Sequence, residues 1–326
     1  MRKIFAAISG GLALTMLSAL AVTVSGSPAQ AWPDRTVKLL LPIGPGSGVD
    51  VTARLFADRL SKKWGQPVVV ENRPGGDAMM AINAFINAND DHTLLFSPTG
   101  SFTAHPYLHQ KLPYDPKEMF PVARISSTVV GIAVPTSLKV NTLGEMIAMI
   151  KAQPDKLNWA TATGLNDFLM AGYMKEAGLT MSKVPYRDTV AAINDLGESR
   201  IQLYIGAYVI MRAAAASGKV KIVAITNSER AKGAPDIPTA KEAGFPALGF
   251  DGLTGLFGTR TLSAQNRDKI AADVKEIASD PEIVTRLTAT GQNIVPGNGA
   301  EFAADIEKQR AQIAGVGKIL GVKAAQ

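Results

Sequence analysis

Apolar positions along the chain fall into two alternating rhythms. Short β-branched or leucine-rich runs stand a few residues ahead of stretches in which apolar side chains return every three or four positions. Val37-Lys-Leu-Leu-Leu41 reads as a buried strand. After Pro42-Ile-Gly-Pro-Gly-Ser-Gly48, the residues Val49, Ala53, Phe56, Leu60 and Trp64 mark one face of a helix that Gly65 stops. Val68-Val-Val70 predicts the next strand, Asn72-Arg-Pro-Gly-Gly76 a turn, and Asp77 the N-cap of a helix running to about Ala88. A third strand is expected at Thr93-Leu-Leu-Phe96, ending in Ser97-Pro-Thr-Gly-Ser101. A second module begins near Val129-Val-Gly-Ile-Ala-Val134. Helices are expected there at about 142–152, 167–177 and 188–197, and strands at about 156–161, 201–205 and 221–226. Ala234-Pro-Asp-Ile-Pro238 reads as a loop and Gly255-Leu-Phe-Gly258 as a short strand. The remainder, from about Ser263 to Val322, reads as mainly helical, with Pro281 opening one helix after Asp280. The alternation predicts a parallel-rich α/β protein. The first module is too small to bury a core alone, so the C-terminal helices are expected to return to it.

The first thirty residues have a different character. Arg2 and Lys3 precede an uncharged run from Ile4 to Val24, and Ala29-Gln30-Ala31 closes the segment with the small residues of a signal-peptidase site. We expect cleavage after Ala31 and export to the periplasm. A retained membrane anchor is the competing reading, against which Gly10, Gly11 and the closing Ala-x-Ala favour cleavage. Removing 31 of the 326 residues leaves 295, which suggests two domains. Cleavage takes away two bases and no acid. The net charge falls from +6 to +4, 32 Lys+Arg against 28 Asp+Glu. These charges are scattered, which argues against nucleic acid and fits a surface that attracts small anions. The chain has no cysteine, which excludes disulfides, thiolate chemistry and lipidation at a processed cysteine.

Three expected strands end in loops of Gly, Ser and Thr that lead into helices: Gly44 to Gly48, Ser97 to Ser101, and Ala160-Thr-Ala-Thr-Gly164. Such loops let the backbone approach a ligand, and helix N-terminal N–H groups suit an anion. The competing reading is an ordinary turn in which Gly only supplies a positive φ. Three such loops at strand ends, where open α/β sheets bind ligands, favour a carboxylate site built from neutral donors. Asp50 either caps the first helix or orders the glycine loop by accepting its N–H groups. Tyr186 and Arg187 are candidates to face the same cleft, a solvated arginine being the alternative.

Other chemistry lacks its parts. Gly44-x-Gly46 has Val49 in place of the third glycine of a dinucleotide fingerprint, and no Lys-Ser/Thr follows it as in a P-loop. The histidines are His92, His105 and His109. Pro106 separates the last two and no Glu follows His105, so no metal and no cofactor is expected. There is no Gly-x-Ser-x-Gly elbow, hence no catalytic residue is assigned.

Several segments are more specific. Trp32-Pro-Asp-Arg-Thr-Val-Lys38, Val69-Val-Glu-Asn-Arg-Pro-Gly-Gly76, Lys111-Leu-Pro-Tyr-Asp-Pro116, Val184-Pro-Tyr186 and Asp236-Ile-Pro-Thr-Ala-Lys-Glu-Ala-Gly-Phe-Pro246 resemble the Bug-type solute-binding proteins, the periplasmic receptors of tripartite tricarboxylate transporters. The resemblance runs over essentially the whole mature chain. It implies a two-lobed type II periplasmic-binding-protein fold, with 32–131 plus 252–326 as lobe one, 132–251 as lobe two, and a hinge at strands near Gly131 and Gly255. It also implies that a small carboxylate is held by Gly46, Ser47 and Gly48, by Ser97, Thr99, Gly100 and Ser101, and by Thr161, Thr163 and Gly164. The implied partners are integral membrane transporter subunits, with the receptor itself a monomer.

Three departures bear on specificity. The chain has Ile43-Gly-Pro-Gly-Ser-Gly-Val-Asp50 where the family usually has Phe-Pro-Pro-Gly-Gly-Gly-Thr-Asp. It has Leu165-Asn-Asp-Phe168 where small hydroxyl residues and then His are usual, and Gly206-Ala207-Tyr208 where an Asp commonly ends the strand. Phe168, Ala207 and Tyr208 are therefore candidate ligand contacts, and the first and last of them suggest an acid with an aromatic or bulky apolar body. The rival readings are an exported enzyme on the same two-lobed scaffold and a ligand-loaded sensor partner.

Overall fold

In the computed structural model the described residues are 32–161, 164–186 and 188–325. The expected leader and its cleavage point, together with Thr163 and Arg187, lie outside them. The first part of the chain runs β1 (Val37–Leu41), α1 (Gly48–Trp64), β2 (Val68–Asn72), α2 (Met79–Ala88), β3 (Thr93–Pro98), α3 (Gly100–Thr103) and α4 (His105–Leu108). Next come β4 (Phe120–Thr128), β5 (Val130–Pro135), α5 (Leu143–Ala152), β6 (Asn158–Thr161), α6 (Gly164–Ala177), β7 (Ser182–Lys183), α7 (Thr189–Gly197), β8 (Leu203–Ala207), α8 (Tyr208–Ala216) and β9 (Val220–Ile225). The chain ends with β10 (Gly252–Gly258), α9 (Ala264–Ala278), α10 (Pro281–Ala289), β11 (Gln292–Asn298) and α11 (Gly299–Leu320).

These strands form two sheets. One has the order β11-β4-β10-β3-β1-β2 and the other β7-β6-β8-β5-β9. Both are mixed rather than dominated by parallel pairs. β1 pairs in parallel with β2 and β3, and β6 with β7 and β8. The antiparallel pairs involve β4, β5 and β10, the strands at which the chain passes between the sheets. Val129 alone joins β4 to β5, and residues 226–251 join β9 to β10. The chain re-enters the first sheet at the end by which it left, Gly252 pairing with Thr128, which accounts for the antiparallel sense of β10.

Each sheet has its own apolar filling. Leu40, Ile82, Phe85, Leu95, Phe257 and Phe302 pack together on the first, and Ile132, Val134, Met146, Trp159, Leu203 and Val223 on the second. Helices from the end of the chain complete the first. Trp64 Nε1 on α1 donates to Asp273 Oδ2 on α9 at 2.7 Å. Gly65 ends α1 at φ 67°, donating its N–H to Ser61. Three strands escape the sequence pattern, the shortest of them the two-residue β7. β4 carries Pro121, Arg124 and a run of hydroxyl residues, and β11 carries Pro296-Gly297 inside a segment read as helix. β11 is an edge strand, and its register shifts between Ile294 and Gly297, which is where a proline is tolerated. Asp77 is not the N-cap of α2. It lies at φ 53°, followed by Ala78 at φ 72°, and the helix starts at Met79.

Asn227 sits at the passage between the sheets and is almost wholly buried. Its Oδ1 accepts from Val130 N at 3.0 Å, and its Nδ2 donates to Ser127 Oγ at 2.9 Å and to the Thr128 carbonyl at 3.0 Å. Asn227→Ala strands the Val130 N–H without an acceptor. We expect a loss of about 2 kcal/mol in urea unfolding; an unchanged midpoint contradicts this role.

Candidate functional site

Parallel pairing places loops together. β1 and β3 are neighbours aligned Leu39 to Leu94, so the loops after them, 42–47 and 99, leave the same edge of the first sheet. β6 and β8 are neighbours aligned Thr161 to Ile205, so the segments after them leave a common edge of the second. The two edges meet. A Cβ on Gly100 would stand 2.4 Å from Leu165 Cδ2, and one on Gly164 would stand 3.2 Å from Leu108 Cδ1. On the other flank, Gly48 fits against the Thr290 carbonyl (2.9 Å from an added Cβ) and Gln292 Nε2 (3.0 Å), while Gly291 fits against Val209 and Tyr208 (3.3 and 3.8 Å). The β11 approach therefore bridges the first glycine loop and the start of α8.

The glycine loop is held by side chains. Gly46 takes φ +84°, a conformation that an L side chain resists. Its N–H donates to Asp50 Oδ2 at 3.0 Å, and Arg54 Nε donates to the same oxygen at 3.0 Å. Asn72 Nδ2 donates to Asp50 Oδ1 at 2.8 Å and to the Ile43 carbonyl at 2.9 Å, and Asn72 Oδ1 accepts from Arg54 Nη2 at 2.8 Å. Ser47 caps α1 by accepting from Asp50 N. Gly48 and Val49, in the first turn of α1, keep N–H groups with no backbone acceptor.

The remaining candidates divide. Thr161, at the end of β6, is 7% exposed, and its hydroxyl is buried without a hydrogen-bond partner. Ser101 is half-buried on α3, and Ala207 and Tyr208 half-buried at the start of α8. Ser97 and Thr99 are fully buried, and their hydroxyls are committed within the protein. Ser97 Oγ donates to the Pro98 carbonyl at 3.0 Å. Thr99 Oγ1 lies 2.6 Å from Gln309 Oε1 and 3.2 Å from the Leu253 carbonyl. Those two side chains anchor their loop. Phe168 is also redirected. It packs with Ala104, Phe250 and Ile313, its ring 5.8 Å from that of Tyr107, because its side of α6 lies against α11. The expectation of a ligand with an aromatic body loses that support. Tyr186 is half-buried against the apolar cluster beside the second sheet and donates its hydroxyl to Asp195 Oδ2 at 2.6 Å. Burial, reinforced by that carboxylate, pushes its pKa up to about 12.

Arg54, Asn72, Gln292 and Leu165 were missed as shapers of the site. The i,i+4 spacing of Asp50 and Arg54 was a usable signal, whereas Asn72 and Gln292 act across long sequence separations. A cavity of about 530 Å³ lies beside the strand passages and α11, lined by Arg124, Asn227, Asp251 and Lys308 among others. None of the loop residues lines it. A smaller one of about 350 Å³ touches Tyr208. Among the described residues no helix is long and apolar enough to cross a membrane.

Two mixed sheets are thus joined by strand passages, with glycine and hydroxyl loops meeting between them. The family described as tripartite tricarboxylate transporter family receptor matches residues 52–321, and the chain belongs to it. This is a family of periplasmic solute-binding receptors, not of enzymes. The chain is 30% identical over 309 residues to a UPF0065 protein of Bordetella bronchiseptica, covering 93% of this chain and 91% of that one. It is 30% identical to protein BugT of Bordetella pertussis over 223 residues, 67% of this chain and 68% of that one. Among solved structures, a periplasmic transporter aligns at TM-score 0.77 and 25% identity, covering 90% of this chain and 99% of that chain. MatC from Rhodopseudomonas palustris, solved with bound malate, aligns at TM-score 0.72 and 28% identity, covering 87% and 99%.

Burial alone pushes the Asp50 carboxyl up. The hydrogen bonds from Arg54, Asn72 and Gly46, with the Arg54 charge, outweigh it and hold the group below the usual carboxylate range. A carboxyl with a lowered folded pKa stabilises the protein fully above the unfolded value of about 3.9, and that contribution is lost as pH falls through the folded value. Asp50→Ala is expected to lose about 2 kcal/mol near neutral pH, with the gap between variant and parent closing below about pH 4 in denaturant titrations. A difference that does not change with pH counts against this account.

Proposed function

We propose that the exported chain, cut after Ala31, works as a monomeric periplasmic receptor that captures a small carboxylate between its two sheets and delivers it to a tripartite tricarboxylate-type membrane transporter. The lobes divide as 32–131 with 252–326 against 132–251, and they close about the strand passages once ligand has bound. Gly46, Ser47, Gly48, Gly100, Ser101, Thr161, Thr163, Gly164, Ala207 and Tyr208 surround the ligand. The observation that carries this reading is the buried, unpartnered Thr161 hydroxyl on the edge of the second sheet that meets the first. A buried hydroxyl without a partner is unfavourable, and a carboxylate oxygen would satisfy it while the α1 N–H groups take the other end of the anion. The malate bound to MatC is a carboxylate of this kind.

The test uses the protein as purified. Native mass spectrometry is expected to show a retained acid, and the mass of the free chain to correspond to a start at Trp32. In a thermal-shift panel of mono-, di- and tricarboxylates, the cognate acid at 100 times its Kd is expected to stabilise by about 2.7 kcal/mol. Thr161→Val removes one hydrogen bond to a charged group and is expected to weaken that acid about tenfold, while leaving the ligand-free protein as stable or more so. If no carboxylate shifts the melting curve, or the bound acid is turned over, the proposal fails. Uptake of the same acid must also be lost in cells lacking the receptor.

A further inference from the structure

Beside those loops, three side chains converge on one point. Asp77 Oδ2 lies 2.9 Å from His109 Nε2 and 3.5 Å from His105 Nε2, and all three ligand-capable atoms lie within 4.8 Å of one another. The two imidazoles stand edge to face, centroids 5.2 Å apart at 86°. Asp77 and His109 are partly open to solvent, while His105 is 1% exposed. Protons alone leave this arrangement unfinished. Asp77 and His109 satisfy each other at hydrogen-bond distance, but His105 Nε2 is buried and aimed at the same carboxylate without making a hydrogen bond. Its other nitrogen is already engaged, Nδ1 standing 2.6 Å from the Tyr114 hydroxyl. That contact fixes the ring so that Nε2 faces the cluster, as the outer partner of a metal-bound histidine does.

We propose that Asp77, His105 and His109 form a binding site for a divalent ion of the zinc class, with Tyr114 orienting His105. In a tetrahedral zinc site the bonds of about 2.0–2.1 Å place neighbouring ligand atoms about 3.3 Å apart. The distances of 2.9 and 3.5 Å fall on either side of that value. Two imidazoles and one carboxylate suit zinc and its late first-row neighbours, whereas calcium and magnesium take oxygen ligands. Water completes the shell on the exposed side. Such an ion ties the turn carrying Asp77, five residues beyond Asn72 in the glycine-loop brace, to α4, whose Leu108 touches Gly164 across the sheets. It thus fastens the rim of the first sheet next to the solute loops.

The experiment takes the mature chain without a polyhistidine tag, strips it with EDTA and titrates it with zinc alone against a chromogenic chelator. One zinc per chain is expected. Asp77→Asn and His109→Ala, both at partly exposed positions that the core does not need, are each expected to weaken binding at least tenfold. In nitrogen NMR, zinc is expected to move the Nε2 resonances of His105 and His109 and leave those of His92 in place. Failure to retain stoichiometric zinc overturns the proposal. So does zinc that binds both variants as tightly as the parent, which places the ion elsewhere.

Discussion

A loop that offers its own N–H groups to a ligand cannot also use them to hold itself in place. That constraint governs the first sheet's glycine loop, which we propose takes the solute. The bonds that a turn would ordinarily form within its backbone are supplied from outside by Asp50, Arg54 and Asn72, which grip Gly46 and the Ile43 carbonyl. The N–H groups at the start of α1 are left over. Asp50 is buried and triply engaged, so its charge is spent on the loop.

The same division of labour recurs in the second loop. Thr99 and Ser97 turn their hydroxyls into the protein, and Gln309 on α11 links Thr99 to the carbonyl of Asp251, the residue before β10. Gly100, beside them, has no side chain and so admits Leu165 from the opposite sheet. A residue type that promises a donor in the sequence is here an anchor, and its bare neighbour makes the approach.

Between the sheets the contacts are of two kinds. Val129 and Asn227 carry backbone and amide hydrogen bonds through the strand passages. On α6, Phe168 and Gly172 meet Tyr107, Ile313 and Val316 in an apolar contact with α4 and α11. Hydrogen bonds of fixed direction suit a pivot, and apolar surfaces suit a face that slides or parts, since the hydrophobic effect has no preferred direction. Phe168 packs in that apolar contact, with its ring against Tyr107.

Local pattern was enough for the elements whose determinants are near in sequence. The apolar face of α1, its stop at Gly65, the β-branched runs of β1, β2 and β3, and the glycine loops after strands could be read directly, because periodicity and turn chemistry act over a few residues. Motif segments spread along the whole chain were enough for the family. Features resting on distant partners were not legible. β11 contains Pro296 and exists because it lies at an edge beside β4. Thr99 became an anchor because Gln309 stands opposite it, and Asp77 left the helix cap for the two histidines. Whether a polar side chain serves ligand, loop or ion depends on which group the fold brings within about 3 Å of it, and that distance is a property of the packed chain alone.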